Sequence, residues 1–203
     1  GDTYQGGIIF YLDSLGGGLI AAPTDQSSSA QWGCNGTNVV GADGTAIGTG
    51  NQNTIDIVNA NCSPNNASIL IAANICDTLT LGGYSDWFLP SKDELNQMYL
   101  NIGQGNALGL GNIGGFNNNS YWSSTEYNYM VAWVEGFNGN QGLNYKINSD
   151  HVRAIRSVSS FLSPAIDTTN SVMVSISGWN YVTVTDSFGC SATDSVYVDI
   201  QNC

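Results

Sequence analysis

The only histidine in this 203-residue sequence, His151, follows Asp150 and stands two residues before Arg153. A general base must reach the proton of a nucleophile, and the sequence offers no G-x-S-x-G elbow to present one. Gly109-Leu110-Gly111-Asn112-Ile113-Gly114 has the G-x-G-x-x-G spacing. A dinucleotide fingerprint follows a strand and opens a helix; this one follows a loop, in a chain with 25 glycines. Among the cysteines (Cys34, Cys62, Cys76, Cys190 and Cys203) there is no C-x-x-C pair. With one histidine, a zinc site is not expected. Calcium needs several convergent oxygens. The carboxylates that could supply them are Asp86, Asp93, Glu94, Glu126, Glu135 and Asp150, but no dense D-x-D-x-D loop groups them. Glu94 reads better as a helix cap, and Glu126 as an internal partner of Arg153 or Arg156. No enzyme, cofactor or metal site is therefore expected, calcium being the one cofactor left open.

The elements that position these residues follow from periodicity and turn chemistry. Residues 7–13 and 18–22 read as strands joined by a glycine-rich turn. A loop rich in Gly, Ser, Thr and Asn extends from Pro23 to about Asn53, and a loop of that length is usually functional or held by a crosslink. Thr54 is placed to cap a short helix through Ala60. Ile69, Ala72, Ala73, Cys76 and Leu79 make one apolar helical stripe, stopped by Gly82-Gly83. Ser91-Lys92-Asp93-Glu94 is a capping box. It opens a helix that buries Leu95, Met98, Tyr99 and Ile102 and ends at Gly103. After a second Gly/Asn-rich loop, strands are expected at 121–126, 130–137, 143–147 and 152–158, with turns of Asn and Gly between them. Strands, then helices, then an antiparallel sheet make an α+β domain over residues 1–158.

A change of composition near Ser159 marks a boundary, and Ser163-Pro164-Ala165 reads as a linker. Beyond it, three short strands are expected. They carry Val172, Val174 and Ile176, then Val182 and Val184, then Val196, Val198 and Ile200, with turns at Gly178 and Phe188-Gly189. Three strands are marginal alone, and an immunoglobulin-like sandwich needs about seven. The open edges of such a sheet invite a strand from a neighbouring chain.

Sixteen acidic residues stand against four basic ones, Lys92, Lys146, Arg153 and Arg156, for a net charge of −12. Such a chain cannot neutralise a row of phosphates, which argues against nucleic acid and anionic membrane surfaces as partners. No apolar run is long enough for a membrane span. Charged residues are only 10% of the chain, so its polar surface is mostly Asn, Gln, Ser, Thr and Gly, a composition that suits exported proteins. Export implies disulfides. The expected pairs are Cys62 with Cys76 and Cys190 with Cys203, leaving Cys34 over; the alternative is five buried free thiols. Trp32, Trp87, Trp122 and Trp133 read as core anchors, and Trp179 as an exposed residue of a tail turn.

Three motifs in order are distinctive: Gly83-Tyr84-Ser85-Asp86-Trp87-Phe88-Leu89-Pro90-Ser91-Lys92-Asp93-Glu94-Leu95, Tyr121-Trp122-Ser123-Ser124-Thr125-Glu126, and Val152-Arg153-Ala154-Ile155-Arg156. After the opening Gly6-Gly7-Ile8-Ile9-Phe10-Tyr11, they resemble the C-terminal domain family of the Legionella collagen-like adhesin, over roughly residues 1–158. The resemblance implies a C-type-lectin-like fold, with two to three helices packed on antiparallel sheets, and a surface adhesin or ligand-binding role. The named adhesin binds sulfated glycosaminoglycans, which needs a basic surface, so that ligand does not carry over to this acidic chain. Hypervariable relatives of the fold bind through late strands and loops. The corresponding residues here are Tyr127, Asn128, Tyr129, Asn138, Asn140, Asn144, Tyr145 and Asn148, types that favour binding surfaces; the alternative is that the asparagines simply make hairpin turns. Formylglycine-generating relatives are oxidases that need a cysteine pair at the site, and none lies near the late strands. Residues 181–193 resemble the last strands of immunoglobulin-like repeats of bacterial surface proteins.

These readings converge on a non-enzymatic protein of the cell surface or extracellular space. Its expected partners are copies of itself, assembled into a filament or array through the C-terminal β segment, or other surface proteins. The alternative is an adhesin that grips a glycan or protein through the late-strand face.

Overall fold

A computed structural model of the chain describes residues 1–62, 64, 70–159, 178–185, 188 and 190–198. The chain divides into two compact units, Gly1–Phe161 and Leu162–Cys203.

The first unit is α+β. In chain order its elements are β1 (Thr3–Tyr4), β2 (Gly7–Leu12), β3 (Gly18–Ala21), β4 (Ser27–Gln31), α1 (Gly50–Asn59), α2 (Ala72–Asp77), α3 (Lys92–Ile102), β5 (Ser120–Glu126), β6 (Val131–Gly136), β7 (Asn140–Tyr145), β8 (Ser149–Val152) and β9 (Ile155–Val158). They form a four-stranded sheet, β1-β2-β3-β9, and a five-stranded sheet, β4-β8-β5-β6-β7. Pairing is antiparallel except for a parallel contact of β5 with β8 at Tyr121 and His151. Two core clusters fill the unit. One gathers Trp32, Trp87 and Trp122 with Ile20, Ile57 and Leu89. The other gathers Phe10, Phe88, Phe116, Tyr121 and Phe137 with the apolar stripe of α3, Leu95, Met98 and Ile102.

The capping box forms as its spacing requires. Ser91 accepts from the Glu94 amide, Glu94 accepts from the Ser91 amide, and α3 ends at Gly103. Glu94 reaches further than its own helix. Its fully buried carboxylate also accepts from the Gly48 amide at 2.8 Å, and it lies so close to α1 that a Cβ on Gly50 would sit 2.2 Å from its Oε2. That close approach explains why glycine opens α1.

Several expectations are corrected. The 23–53 stretch holds β4 and the start of α1, which begins at Gly50, with Thr49 as its N-cap residue. Thr54 is therefore not a cap. Its hydroxyl is buried inside the helix, donating to the Gly50 carbonyl and accepting from the Leu89 amide. The second helix starts at Ala72, and Ile69 lies outside the described residues. The expected strand at 152–158 is two strands in two sheets, because the chain leaves the larger sheet at Arg153-Ala154. There the Ala154 amide is taken by Gln26 Oε1 and its carbonyl by the Ala22 amide, so neither group continues the β8 ladder.

In the second unit the described strands are β10 (Gly178–Thr185) and β11 (Ser191–Val198), an antiparallel hairpin in register from Gly178 opposite Val198 to Thr185 opposite Ser191. Gly178 thus opens a strand rather than making a turn. Val182 and Val184 lie in β10 and Val196 and Val198 in β11, whereas Val172, Val174, Ile176 and Ile200 lie outside the described residues.

Candidate functional site

The eight residues expected to form a ligand face fall on the β5–β6 turn, the β6–β7 turn, β7 and the β7–β8 turn. Tyr127, Tyr129 and Tyr145 are exposed at 57%, 53% and 54%. Strand alternation puts Val131, Trp133 and Glu135 of β6 opposite Tyr145, Leu143 and Gln141 of β7 on one face. Trp133 is half-buried there. Tyr127 meets its ring edge-on at 5.9 Å, and the Lys92 ammonium lies 4.9 Å from its centre. The result is a shallow aromatic surface ending in the buried carboxylate of Glu135. Its Oε2 has no partner among the described residues, and burial pushes its pKa up to about 7.

The asparagines divide. Asn128 Oδ1 accepts from the Met130 and Val131 amides, which makes it a turn-former. Asn144 donates to Asp150 and accepts from the Asn148 amide group, so both asparagines serve the β7–β8 turn. Asn138 and Asn140 are exposed at the β6–β7 turn. The tyrosines therefore display themselves, while Asn128, Asn144 and Asn148 hold turns.

A second feature was not anticipated from the sequence. A cleft of about 570 Å³ lies beside β2, β3 and β9, and Tyr11, Asp13, Ile47, Tyr84, Asp86 and Arg156 help to line it. Arg156 is nine-tenths buried. Its guanidinium lies 3.7 Å from the centre of the Tyr84 ring, donates from Nε to Asp86 and donates from Nη1 to Gln5 Oε1 at 2.8 Å.

Apart from Tyr84, Asp86 and Arg156 at the cleft, the three distinctive motifs serve mainly to hold the fold. The Trp122 indole donates to the Ala30 carbonyl. The fully buried hydroxyls of Ser123, Ser124 and Thr125 bond the Trp133 carbonyl, the Asn53 amide group and the Gly44 carbonyl. Arg153, 1% exposed, binds Asp25 and the carbonyls of Ala22 and Gly114, and stacks on Phe116 at 4.2 Å. Phe88 pairs with Ile155 through reciprocal backbone bonds. The chain matches the Lcl C-terminal domain over residues 23–156, a range that contains all three motifs.

The chain belongs to the Lcl C-terminal domain family. No protein with a curated description matches it. In this Lcl domain every basic side chain already faces a carboxylate: Lys92 meets Asp93, Lys146 meets Glu126, Arg153 meets Asp25 and Arg156 meets Asp86. Glu126 thus pairs with Lys146 rather than with either arginine. Lys146 is fully buried over the Trp32 ring at 4.4 Å and donates also to the Thr37 carbonyl. Both Glu126 oxygens accept from the Val39 amide at 3.0 and 3.1 Å. Burial pushes the Lys146 ammonium below its ordinary pKa, and Glu126 opposes that shift. The pair ties Trp32, Thr37 and Val39 of the Lcl domain to β5 and the β7–β8 turn.

The disulfide differs from the expectation. Cys34 bonds Cys62, with Cα atoms 4.9 Å apart. Cys76 is a free thiol. It is fully buried on the inner face of α2, where it packs as a small apolar side chain. Cys190 is exposed and Cys203 lies outside the described residues. The six calcium candidates are dispersed: Asp86 to Arg156, Asp93 to Lys92, Glu94 to the α3 cap, Glu126 to Lys146, Glu135 under Trp133 and Asp150 to Asn144. Among the described residues no three His, Cys, Asp or Glu side chains converge, so these donors do not fit a calcium cage. His151 is not on an exposed turn. It lies half-buried in β8, with Nδ1 3.1 Å from Asp25, Nε2 3.0 Å from the Asn119 amide group and its ring against Tyr121. Trp32, Trp87 and Trp122 are core anchors as expected, whereas Trp133 is only half-buried. No helix among the described residues is long and apolar enough to cross a membrane.

Proposed function

We propose that this chain is a non-enzymatic surface or extracellular adhesin whose C-type-lectin-like first unit grips a glycan or protein through the face of Tyr127, Tyr129, Trp133 and Tyr145. Family membership over residues 23–156 carries the reading. Three helices against two largely antiparallel sheets support the fold assignment. Exposed tyrosines supply large contact area at low entropic cost, and they stand on a framework held by buried motif residues such as Trp122 and Arg153. His151 is not set up as a general base for a neighbouring nucleophile, since its Nε2 faces the Asn119 amide group. No cofactor is assigned. Glycan and matrix-protein arrays test the reading: the folded chain binds at least one surface, and Tyr129→Ala or Tyr145→Ala weakens that binding. Silence across broad arrays contradicts it.

A second reading rests on the tail. Among the described residues β10 and β11 pair only with each other, and one face of the hairpin exposes Trp179, Tyr181 and Tyr197 at 62%, 70% and 55%. That face, on a hairpin whose outer edges are unpaired among the described residues, suits self-assembly into a filament or array. Residues 181–193 resemble the last strands of an immunoglobulin-like repeat. Negative-stain microscopy and sedimentation of the full chain decide it: polymers lost on Trp179→Ser with Tyr197→Ser support assembly, and a monomer at high concentration removes it.

A further inference from the structure

We propose that the cleft between Tyr11 and Tyr84 is a binding site for a neutral saccharide, separate from the tyrosine face and independent of it. The volume, about 570 Å³, lies within the range that holds small ligands. The charge arrangement selects among ligand classes. Arg156 uses Nε on Asp86 and Nη1 on Gln5, and Nη2 keeps no hydrogen-bond acceptor among the described residues. Asp13 uses Oδ1 on the Leu15 and Gly17 amides at 2.7 and 2.9 Å, leaving Oδ2 as an acceptor. Asp86 likewise keeps Oδ2, on a side chain 61% exposed.

One guanidinium donor between two carboxylate acceptors disfavours both kinds of ion. A sulfate or carboxylate would meet Asp13 and Asp86 in a chain of net charge −12. An ammonium has donors only and would leave the remaining Arg156 donor without an acceptor. A hydroxyl accepts and donates at once, so a polyol can satisfy the donor and both acceptors without burying a net charge. The apolar walls complete the match. Tyr11 and Ile47 offer the C–H faces of a sugar ring a dry surface, and the Tyr84 ring holds Arg156 from turning away. Both aspartates are side chains that already hold local structure, so the recognising oxygens are positioned before the ligand arrives, which lowers the entropic cost of binding.

The test uses the full chain on a printed array of neutral and sulfated oligosaccharides, followed by titration with the methyl glycosides of the neutral hits. Two variants probe the cleft. Ile47→Trp fills it from a position already 38% exposed. Asp13→Asn keeps the turn-forming oxygen but replaces the free acceptor with a donor. Each is compared with wild type by thermal melting to verify folding. The expected result is binding to neutral sugars that falls at least tenfold in both cleft variants and is unchanged in Val40→Ala, a change at a residue 93% exposed and outside the cleft. Binding lost in Tyr145→Ala but kept in the cleft variants overturns the cleft and leaves the tyrosine-face reading intact. No neutral-sugar binding, or binding to sulfated sugars only, overturns the charge argument.

Discussion

Replacing Glu126 by glutamine keeps its shape and one acceptor oxygen but removes the one carboxylate that pairs with Lys146 among the described residues. The ammonium would then be fully buried with the Thr37 carbonyl and the Trp32 ring as its remaining partners. Breaking a buried pair by removing one partner costs about 3–5 kcal/mol, because the other charge stays uncompensated. For a unit of this size, that lowers the melting temperature by roughly 6–20 °C. Urea unfolding followed by tryptophan fluorescence measures it, and Trp32 lies against the altered group. Removing both charges, with Lys146→Met added, should restore most of the loss and give a coupling energy of at least about 2 kcal/mol. The sign with pH follows from the lysine. Burial already depresses its pKa in the folded state, and without Glu126 nothing opposes that. Between the depressed value and the ordinary one near 10.4, the unfolded chain holds a proton that the folded chain lacks, so the variant regains stability as pH rises. A single variant within about 1 kcal/mol of wild type, or an additive double variant, refutes the reasoning.

Glu135 gives the opposite slope. Its carboxyl titrates near 7 instead of the ordinary 4.5, so the folded chain holds an extra proton across that window. Stability should fall as pH rises through it, by on the order of 3 kcal/mol, and Glu135→Gln should flatten the profile; pH-dependent urea melts check this. Peptide mapping should find Cys34 linked to Cys62 and Cys76 alkylated only after unfolding. Reduction, or Cys34→Ser with Cys62→Ser, should cost about 3–4 kcal/mol from the chain entropy of the closed loop. Ser91→Ala removes the cap of α3 and a hydrogen bond to the Ala46 carbonyl, an expected loss of about 1–2 kcal/mol in denaturant melts.

What could be read in the sequence was local. The capping box, the apolar stripe of α3, the early strands and the three core tryptophans each carry their signal within a few residues. The missed features depend on distant partners. Glu126 and Lys146 are 20 residues apart, and only the folded sheet shows that the lysine, not an arginine, lies beside the carboxylate. The Cys34–Cys62 bridge spans 28 positions across a Gly/Asn-rich stretch with no periodicity to place its ends. The division of residues 152–158 between two sheets is set by Gln26 and Ala22, which take both backbone groups of Ala154. Of the candidate face, the tyrosines were legible because their type favours display. The work of Asn128 and Asn144 as turn-formers was legible only as an alternative. The cleft around Arg156 had no sequence signal, since its walls come from β2, β3, β9 and the segments near residues 47 and 84.

The most direct test of the adhesin reading is the dissociation constant of the full chain on whichever array surface it binds best, measured by biolayer interferometry. Wild type is compared with the combined Tyr127→Ala, Tyr129→Ala and Tyr145→Ala variant. Exposed tyrosines that act as binding anchors contribute about 1–2 kcal/mol each, so the constant should rise by at least about a hundredfold while the melting temperature holds. An unchanged constant in the folded triple variant contradicts the assignment of that face.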